Sequence, residues 1–200
     1  RLYIIADGPR KGRDEEKRCE DVRNVVEDVD WPCDVLKNYS KSNMGCKLRV
    51  SSGLDWVFEQ EESAIILEDD CLPHPTFFRF CEELLEYFKD DNRIMQISGS
   101  MNSDEYRSDR QSYHFTYAAS VWGWATWRRA WRHYDVTMSK WDDEYCRGVI
   151  KSTFPNEKIY TIRKAVFDRC RRGEIDTWDY QWHFARLLNS GLTVIPSVNL

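Results

Sequence analysis

The stretch that most constrains this chain is Ala64-Ile65-Ile66-Leu67-Glu68-Asp69-Asp70, an apolar run that stops on three consecutive carboxylates. Apolar residues bounded by charge suit a strand covered on both faces, although so short a run also fits a piece of buried helix. Pro73 and Pro75 then break the chain, and Phe77, Phe78, Cys81, Leu84, Leu85 and Phe88 recur at helical spacing, so the order reads strand, acidic turn, helix. In open α/β sheets the carboxyl end of such a strand is where ligands bind. Adjacent carboxylates repel one another unless water or a cation compensates. An all-oxygen donor set suits Mg²⁺ or Mn²⁺, which take one or two carboxylates and fill the remaining positions with water and substrate phosphates. The bland alternative is a solvated acidic turn at the start of the next helix, where negative charge is favourable anyway. The apolar strand feeding the acids tips the reading towards function.

The same grammar opens the chain. Leu2-Tyr3-Ile4-Ile5-Ala6 stops at Asp7-Gly8-Pro9, again a buried strand ending in an acid and a turn. Residues 14–29 read as a helix with Val22, Val25, Val26 and Val29 on one face, and Cys33 to Leu36 as a short strand. A polar loop ending in Asn43-Met44-Gly45 leads to a helix marked by Cys46, Val50, Leu54 and Val57. This alternation predicts a mainly parallel sheet with helices on both faces. Ile94 to Ser98 is a further strand, residues 100–112 a polar loop, and Tyr113, Phe115, Tyr117 and Ala119 alternate as a strand with one face inward.

Four tryptophans then fall within Trp122 to Trp131. Trp124, Trp127, Trp131 and Tyr134 fit an aromatic face on a helix; such a stripe is more often core than ligand platform, and Trp127 and Trp131 are read as core. Gly123 and Trp124 sit where that helix would begin, with free amides that a sugar or phosphate could approach. Residues 135–155 read as a mobile loop with a short helix near Trp141, and Ile159, Ile162, Val166 and Cys170 as one more helix. In Asp176-Thr177-Trp178-Asp179-Tyr180-Gln181-Trp182 two carboxylates sit among aromatics before a final helix. One of the two acids is expected to cap that helix and the other to serve as a general base, its pKa raised by apolar surroundings. Thr193-Val194-Ile195 is the last strand.

Two hundred residues fit one domain, and the formal net charge of −5 argues against a general nucleic-acid binder. The basic run Arg163, Lys164, Arg169, Arg171, Arg172 interleaves with apolar residues and reads as the solvated face of an amphipathic helix. No apolar run approaches the ~20 residues that cross a bilayer. Seven cysteines without a C-x-x-C pair argue against zinc or a disulfide framework and for free thiols in a reducing cytoplasm. An initial Arg1 and a closing Ser197-Val198-Asn199-Leu200 that points onward make the chain read as a fragment.

Taken together, Ala6-Asp7-Gly8, Asn43-Met44-Gly45, Ile66 to Asp70 with Phe77-Phe78 following, Trp122-Gly123-Trp124 and Trp178 to Trp182 give the chain its likeness. It resembles a glycosyltransferase of the A-type fold, more narrowly the N-acetylglucosaminyltransferase I family and its bacterial relatives, over nearly its whole length. The resemblance implies an α/β nucleotide-diphospho-sugar transferase fold in a single domain, with residues 1–99 as the nucleotide-binding half and 100–200 as the acceptor and catalytic half. It implies that Asp70 binds Mn²⁺ or Mg²⁺ directly, while Glu68 and Asp69 hold metal waters or a ribose. Asp7 would face the nucleotide base, with Gly8 and Asn43 in the same donor site. Gly123 and Trp124 would border the donor sugar and leaving diphosphate, and Asp179 would take the acceptor's proton, with inversion at the anomeric carbon. The implied donor is a UDP-linked sugar, and the implied acceptor is a hydroxyl of a glycan, lipid or protein. The setting would be cytoplasmic, at the inner membrane face or free of it. Relatives usually carry a strand and loop before the counterpart of Leu2 and a segment beyond that of Asn199, which this sequence lacks.

Two competitors remain at this point. A nucleotide-sugar or glycan-binding module would keep the fold without turnover. A nucleotidyltransferase would be expected to show a glycine-rich basic loop after its first strand, and Gly8-Pro9-Arg10-Lys11-Gly12-Arg13 is a poor one.

Overall fold

The structure is a computed structural model and describes residues 1–101, 111–118 and 120–200. Most of the expected loop 100–112, and Ala119, lie outside them. The chain begins with β1 (Leu2–Ala6), α1 (Glu16–Val25) and β2 (Val35–Tyr39), a unit in which β1 and β2 pair in parallel. α2 (Gly45–Phe58), β3 (Ser63–Ile66), α3 (Thr76–Tyr87) and β4 (Ile94–Ser98) follow, then β5 (Tyr113–Thr116), β6 (Trp124–Trp127) and α4 (Arg128–Trp131). A 3-10 turn at Ser139–Asp142, α5 (Glu144–Ser152), α6 (Glu157–Arg171), α7 (Asp179–Leu188) and β7 (Leu192–Pro196) complete it.

The sheet is mixed rather than mainly parallel. Five strands run in the order β3-β6-β4-β7-β5; only β4 and β7 are parallel, while β6 is antiparallel to both β3 and β4, and β5 to β7. The reversal comes from β6, where an aromatic helix was expected. Trp124 and Trp127 lie on opposite faces of this strand. Trp124 packs with Trp131, Trp178, Trp182, Leu54 and Phe58 on one side, and Ala125 and Trp127 pack with Phe77, Cys81, Phe88 and Ile97 on the other. A strand buried on both faces shows no alternation, so spacing alone could not separate it from a helix. The expectation that Trp127 and Trp131 are core holds, each being 3% exposed.

β1 and β2 form a separate two-stranded sheet. Between it and the edge strand β3 runs a groove of about 600 Å³, lined by Ile4, Ile5 and Ala6 on one side and Ile66 to Asp69 on the other. α2 spans both parts: Gly53 lies so close to Ile5 that a Cβ there would meet its side chain at 2.7 Å. Tyr3 Oη and Arg1 Nη1 both donate to Glu61, just before β3, at 2.7 and 2.8 Å. α1 forms where expected but buries none of its residues, and Val22 and Val25 are 63% and 79% exposed.

The region 135–155 is more ordered than a mobile loop. The 3-10 turn places Trp141 at 2% exposure, its indole donating to Asp168 Oδ1 at 2.8 Å, and α5 begins with Asp143 accepting from the Tyr145 amide. Met138, Trp141, Ile150, Phe167, Phe184 and Leu187 close a third core beneath α5, α6 and α7. All seven cysteines are free thiols. No helix among the described residues is long and apolar enough to cross a membrane.

Candidate functional site

β3 ends at Ile66 and the chain turns at once, the Cys71 amide donating to the Glu68 carbonyl at 3.0 Å with Asp69 and Asp70 exposed at the tip. The turn divides two cavities. Glu68 and Asp69 line the groove between the sheets, together with Asp7, Arg23 and Arg49. Asp70 lines a smaller cavity of about 250 Å³ with Leu67, Phe77, Ser100, Trp122 and Gly123. A third cavity, of about 690 Å³, is walled by Asp179, Tyr180, His183 and Arg186 of α7, by Arg163 of α6, and again by Trp122. Trp122, 65% exposed, lines both the Asp70 cavity and the Asp179 cavity.

Glu68 reports how close these groups come. Burial, and then the charges of Asp70, Asp179 and Asp69, hold its carboxyl above the usual glutamate range, against a hydrogen bond from the Trp178 indole that favours the ionised form. The acid far along the chain is thus within electrostatic reach of the β3 turn. Asp179 is the first residue of α7, and the Thr177 hydroxyl donates to its Oδ1, fixing the carboxylate's orientation.

Asp7 lines the same groove from the end of β1 and is heavily engaged. Its carboxylate accepts from the Met44 amide at 2.9 Å, the Gly45 amide at 3.1 Å, the Gly8 amide at 2.8 Å and Asn43 Nδ2 at 2.9 Å. Asp7, Gly8 and Asn43 therefore form one unit, which ties β1 to the start of α2. A base stacked in the groove would meet a carboxylate whose lone pairs are already largely used.

Asp176 divides from Asp179 as expected but caps a different helix. Its two oxygens accept from the Cys46 and Lys47 amides of α2, each at 3.0 Å, and not from the start of α7. Gly45 makes this possible: with φ of +78° it holds a conformation that favours glycine, and a Cβ there would lie 2.5 Å from Asp176 Oδ2.

Gly123 and Trp124 stand at the start of β6 rather than of a helix. Gly123 has φ of +66°, and its carbonyl accepts from the Gly99 amide at 2.7 Å beside Phe77. Trp124 is 0% exposed, ring and backbone together, so it offers a ligand no surface, and of this pair only Gly123 lines a cavity. The ring that faces the cavities is Trp122, which helical spacing did not single out. Its signal in the sequence was its position outside the 124, 127, 131 series.

Among the described residues no group of three His, Cys, Asp or Glu side chains is placed to hold a metal ion. The donor set fits a more modest role. Asp70, exposed beside Gly123 and Trp122, is a carboxylate of the kind that could hold Mg²⁺ or Mn²⁺ arriving with substrate phosphates, since such ions retain waters and need only one or two carboxylates. A scan against protein-family models finds no match, and no curated protein matches the chain.

Proposed function

We propose that the chain is a metal-dependent glycosyltransferase that moves a sugar from a nucleoside-diphosphate donor, of the UDP type, to a hydroxyl acceptor with inversion. One observation carries the reading. Asp70 after β3 and Asp179 at the head of α7, from opposite ends of the chain, line two cavities that have Trp122 as a common wall, and the charges of both reach Glu68 in the groove behind the turn. Acid on one side and a candidate base on the other is the arrangement an in-line displacement needs.

Asp70, with Glu68 and Asp69 behind it, would hold Mn²⁺ or Mg²⁺. When bound, the ion offsets negative charge developing on the leaving diphosphate. The acceptor hydroxyl gives its proton to Asp179 as its oxygen bonds to the anomeric carbon, and the bond from that carbon to the diphosphate oxygen breaks with its electron pair leaving on the diphosphate. Thr177, donating to Oδ1, leaves Oδ2 of Asp179 free to take the proton. Trp122 excludes water from one side of the path. The groove lined by Asp7, Glu68 and Asp69, with Asn43 holding the Asp7 carboxylate, is the candidate nucleotide site, and Gly123 allows close backbone approach in the neighbouring Asp70 cavity.

The competing reading is a binding module that keeps the fold without turnover. Calorimetric titration with UDP in Mn²⁺ and then in excess EDTA tests the donor site, and Asp70→Ala is expected to remove the metal-dependent part of the binding. Asp179→Asn is expected to retain UDP binding and to lower transfer by about 10²–10⁴-fold, the range of a general base. Transfer that survives in Asp179→Asn refutes its role as base.

A further inference from the structure

The basic run on α6 is mostly spent on acids. Lys164 pairs with Asp168, Arg169 and Arg172 with Glu174, and Arg171 with Asp142. Arg163 is the exception. It lines the cavity that holds Asp179, its guanidinium carbon 5.8 Å from the centroid of the Tyr180 ring. In the wall of the same cavity Arg186 is only 1% exposed, and its Nε has no partner. Its remaining bonds go to neutral groups: Nη1 donates to Thr193 Oγ1 at 2.6 Å and Nη2 to His183 Nδ1 at 3.1 Å. None of the ion pairs among the described residues involves Arg163 or Arg186.

A desolvated cation without a counter-charge is unfavourable, and an anion that reaches it offsets that penalty. The cavity also offers a further donor. A guanidinium only donates, so His183 Nδ1 must accept from Arg186, which places the imidazole proton on Nε2. Among the described residues that line it, one acid, Asp179, stands against two guanidiniums. Tyr117, Trp122, Phe154 and Tyr180 supply aromatic faces around them.

We propose that this cavity takes an acceptor carrying an oxyanion, a carboxylate or a phosphate, seated against Arg163 and Arg186 while a hydroxyl of the same molecule lies beside Asp179. The hydroxyl half rests on the transferase reading; the anion half rests on the two arginines alone. Charge-assisted hydrogen bonds contribute about 1.5–3 kcal/mol, so an anionic compound should bind roughly 10- to 100-fold tighter than its neutral counterpart.

The test is calorimetric titration of the full chain, without donor or metal, with methyl glucuronide, glucose 6-phosphate and neutral methyl glucoside. One or both anions are expected to bind at least ~10-fold tighter than the neutral sugar, and less tightly as salt is added. Preference for the glucuronide identifies a carboxylate acceptor, preference for the phosphate a phosphorylated one. Arg163→Gln, a change at a partly exposed position, is expected to abolish this advantage while leaving the melting temperature in place. Equal affinities for charged and neutral sugars, no binding of either anion, or an advantage that persists in Arg163→Gln overturns the proposal. Anion preference without UDP binding or transfer would leave the site standing and remove the transferase reading. Metal-dependent UDP binding without anion preference would do the reverse.

Discussion

Glu68 carries the sharpest consequence at the scale of single residues. Its carboxyl is held above the usual range chiefly by burial, so the folded chain binds more protons than the unfolded one between the ordinary value near 4.5 and the raised one. Stability must therefore fall as pH rises through that window, because ionising Glu68 costs more in the folded chain. Glu68→Gln keeps an acceptor for the Trp178 indole and cannot ionise. It is expected to raise the melting temperature by roughly 1–3 °C at neutral pH, a modest figure since solvent still reaches the carboxylate. The gain should vanish below pH ~4.5, where both forms are neutral. Thermal melts of both proteins from pH 4 to 8 check this; a gain that is constant across the range would mean the effect is packing and not charge. The acidic turn was legible in the sequence because an apolar strand that runs straight into carboxylates is a local pattern. Which acid is perturbed was not legible. The aromatic neighbours of Asp176 and Asp179 pointed to one of those two, and nothing local pointed to Glu68, which gathers burial and three acids from a fold that only long-range packing creates.

At the scale of elements, the N-terminus of α2 is held by two carboxylates from far apart. Asp7 takes the Met44 and Gly45 amides and Asp176 takes those of Cys46 and Lys47, so four donors that an isolated helix leaves unpaired are all satisfied. Asp176→Ala is expected to cost about 1 kcal/mol in urea unfolding, within the range of lost helix caps. Gly45→Ala should cost more, because it combines positive-φ strain with a Cβ that displaces Asp176. The two changes should not add: once the methyl group introduced by Gly45→Ala has pushed the carboxylate away, removing Asp176 has little left to lose. Full additivity would show that Asp176 holds α2 by another route. The sequence offered the cap as a local choice between Asp176 and Asp179, and the local rule could not name α2 because its amides lie about 130 residues earlier. Missing β6 had a similar origin, and it cost the sheet its polarity. Strands β1, β2, β3, β4, β5 and β7 were recovered as strands from local runs, but the one that reverses direction between β3 and β4 is buried on both faces and carries tryptophans that continue at helical spacing into α4.

At the scale of the whole molecule, the two sheets differ in how firmly they are held. All five residues of β4 are buried, and the polar Gln96 among them is satisfied at both ends, Nε2 donating to the Ser120 carbonyl at 2.7 Å and Oε1 accepting from the Trp182 indole at 2.8 Å. No residue of β1 reaches full burial, and α1, which covers part of that unit, buries none of its side chains. Both β1 and β3 present an edge to the groove, so the unit of β1, α1 and β2 is attached by α2 and by the contacts of Arg1 and Tyr3 with Glu61 rather than by a continuous ladder. Cooperative units with little buried apolar surface open at lower free energy than the core. Amides of β1 and β2 are therefore expected to exchange through an opening several kcal/mol below global unfolding, while those of β4, β6 and β7 exchange only at the global value, about 5–15 kcal/mol for a domain of this kind. Native-state hydrogen exchange at increasing urea measures both classes. Because Asp7 joins β1 to α2 and its groove holds the candidate nucleotide site, saturating UDP with Mn²⁺ should raise protection in β1 and β2 selectively and leave β4 unchanged. Equal protection of the two sheets without ligand would mean that α2 alone locks them into one cooperative unit. Unequal protection that UDP does not alter would place the nucleotide somewhere other than this groove.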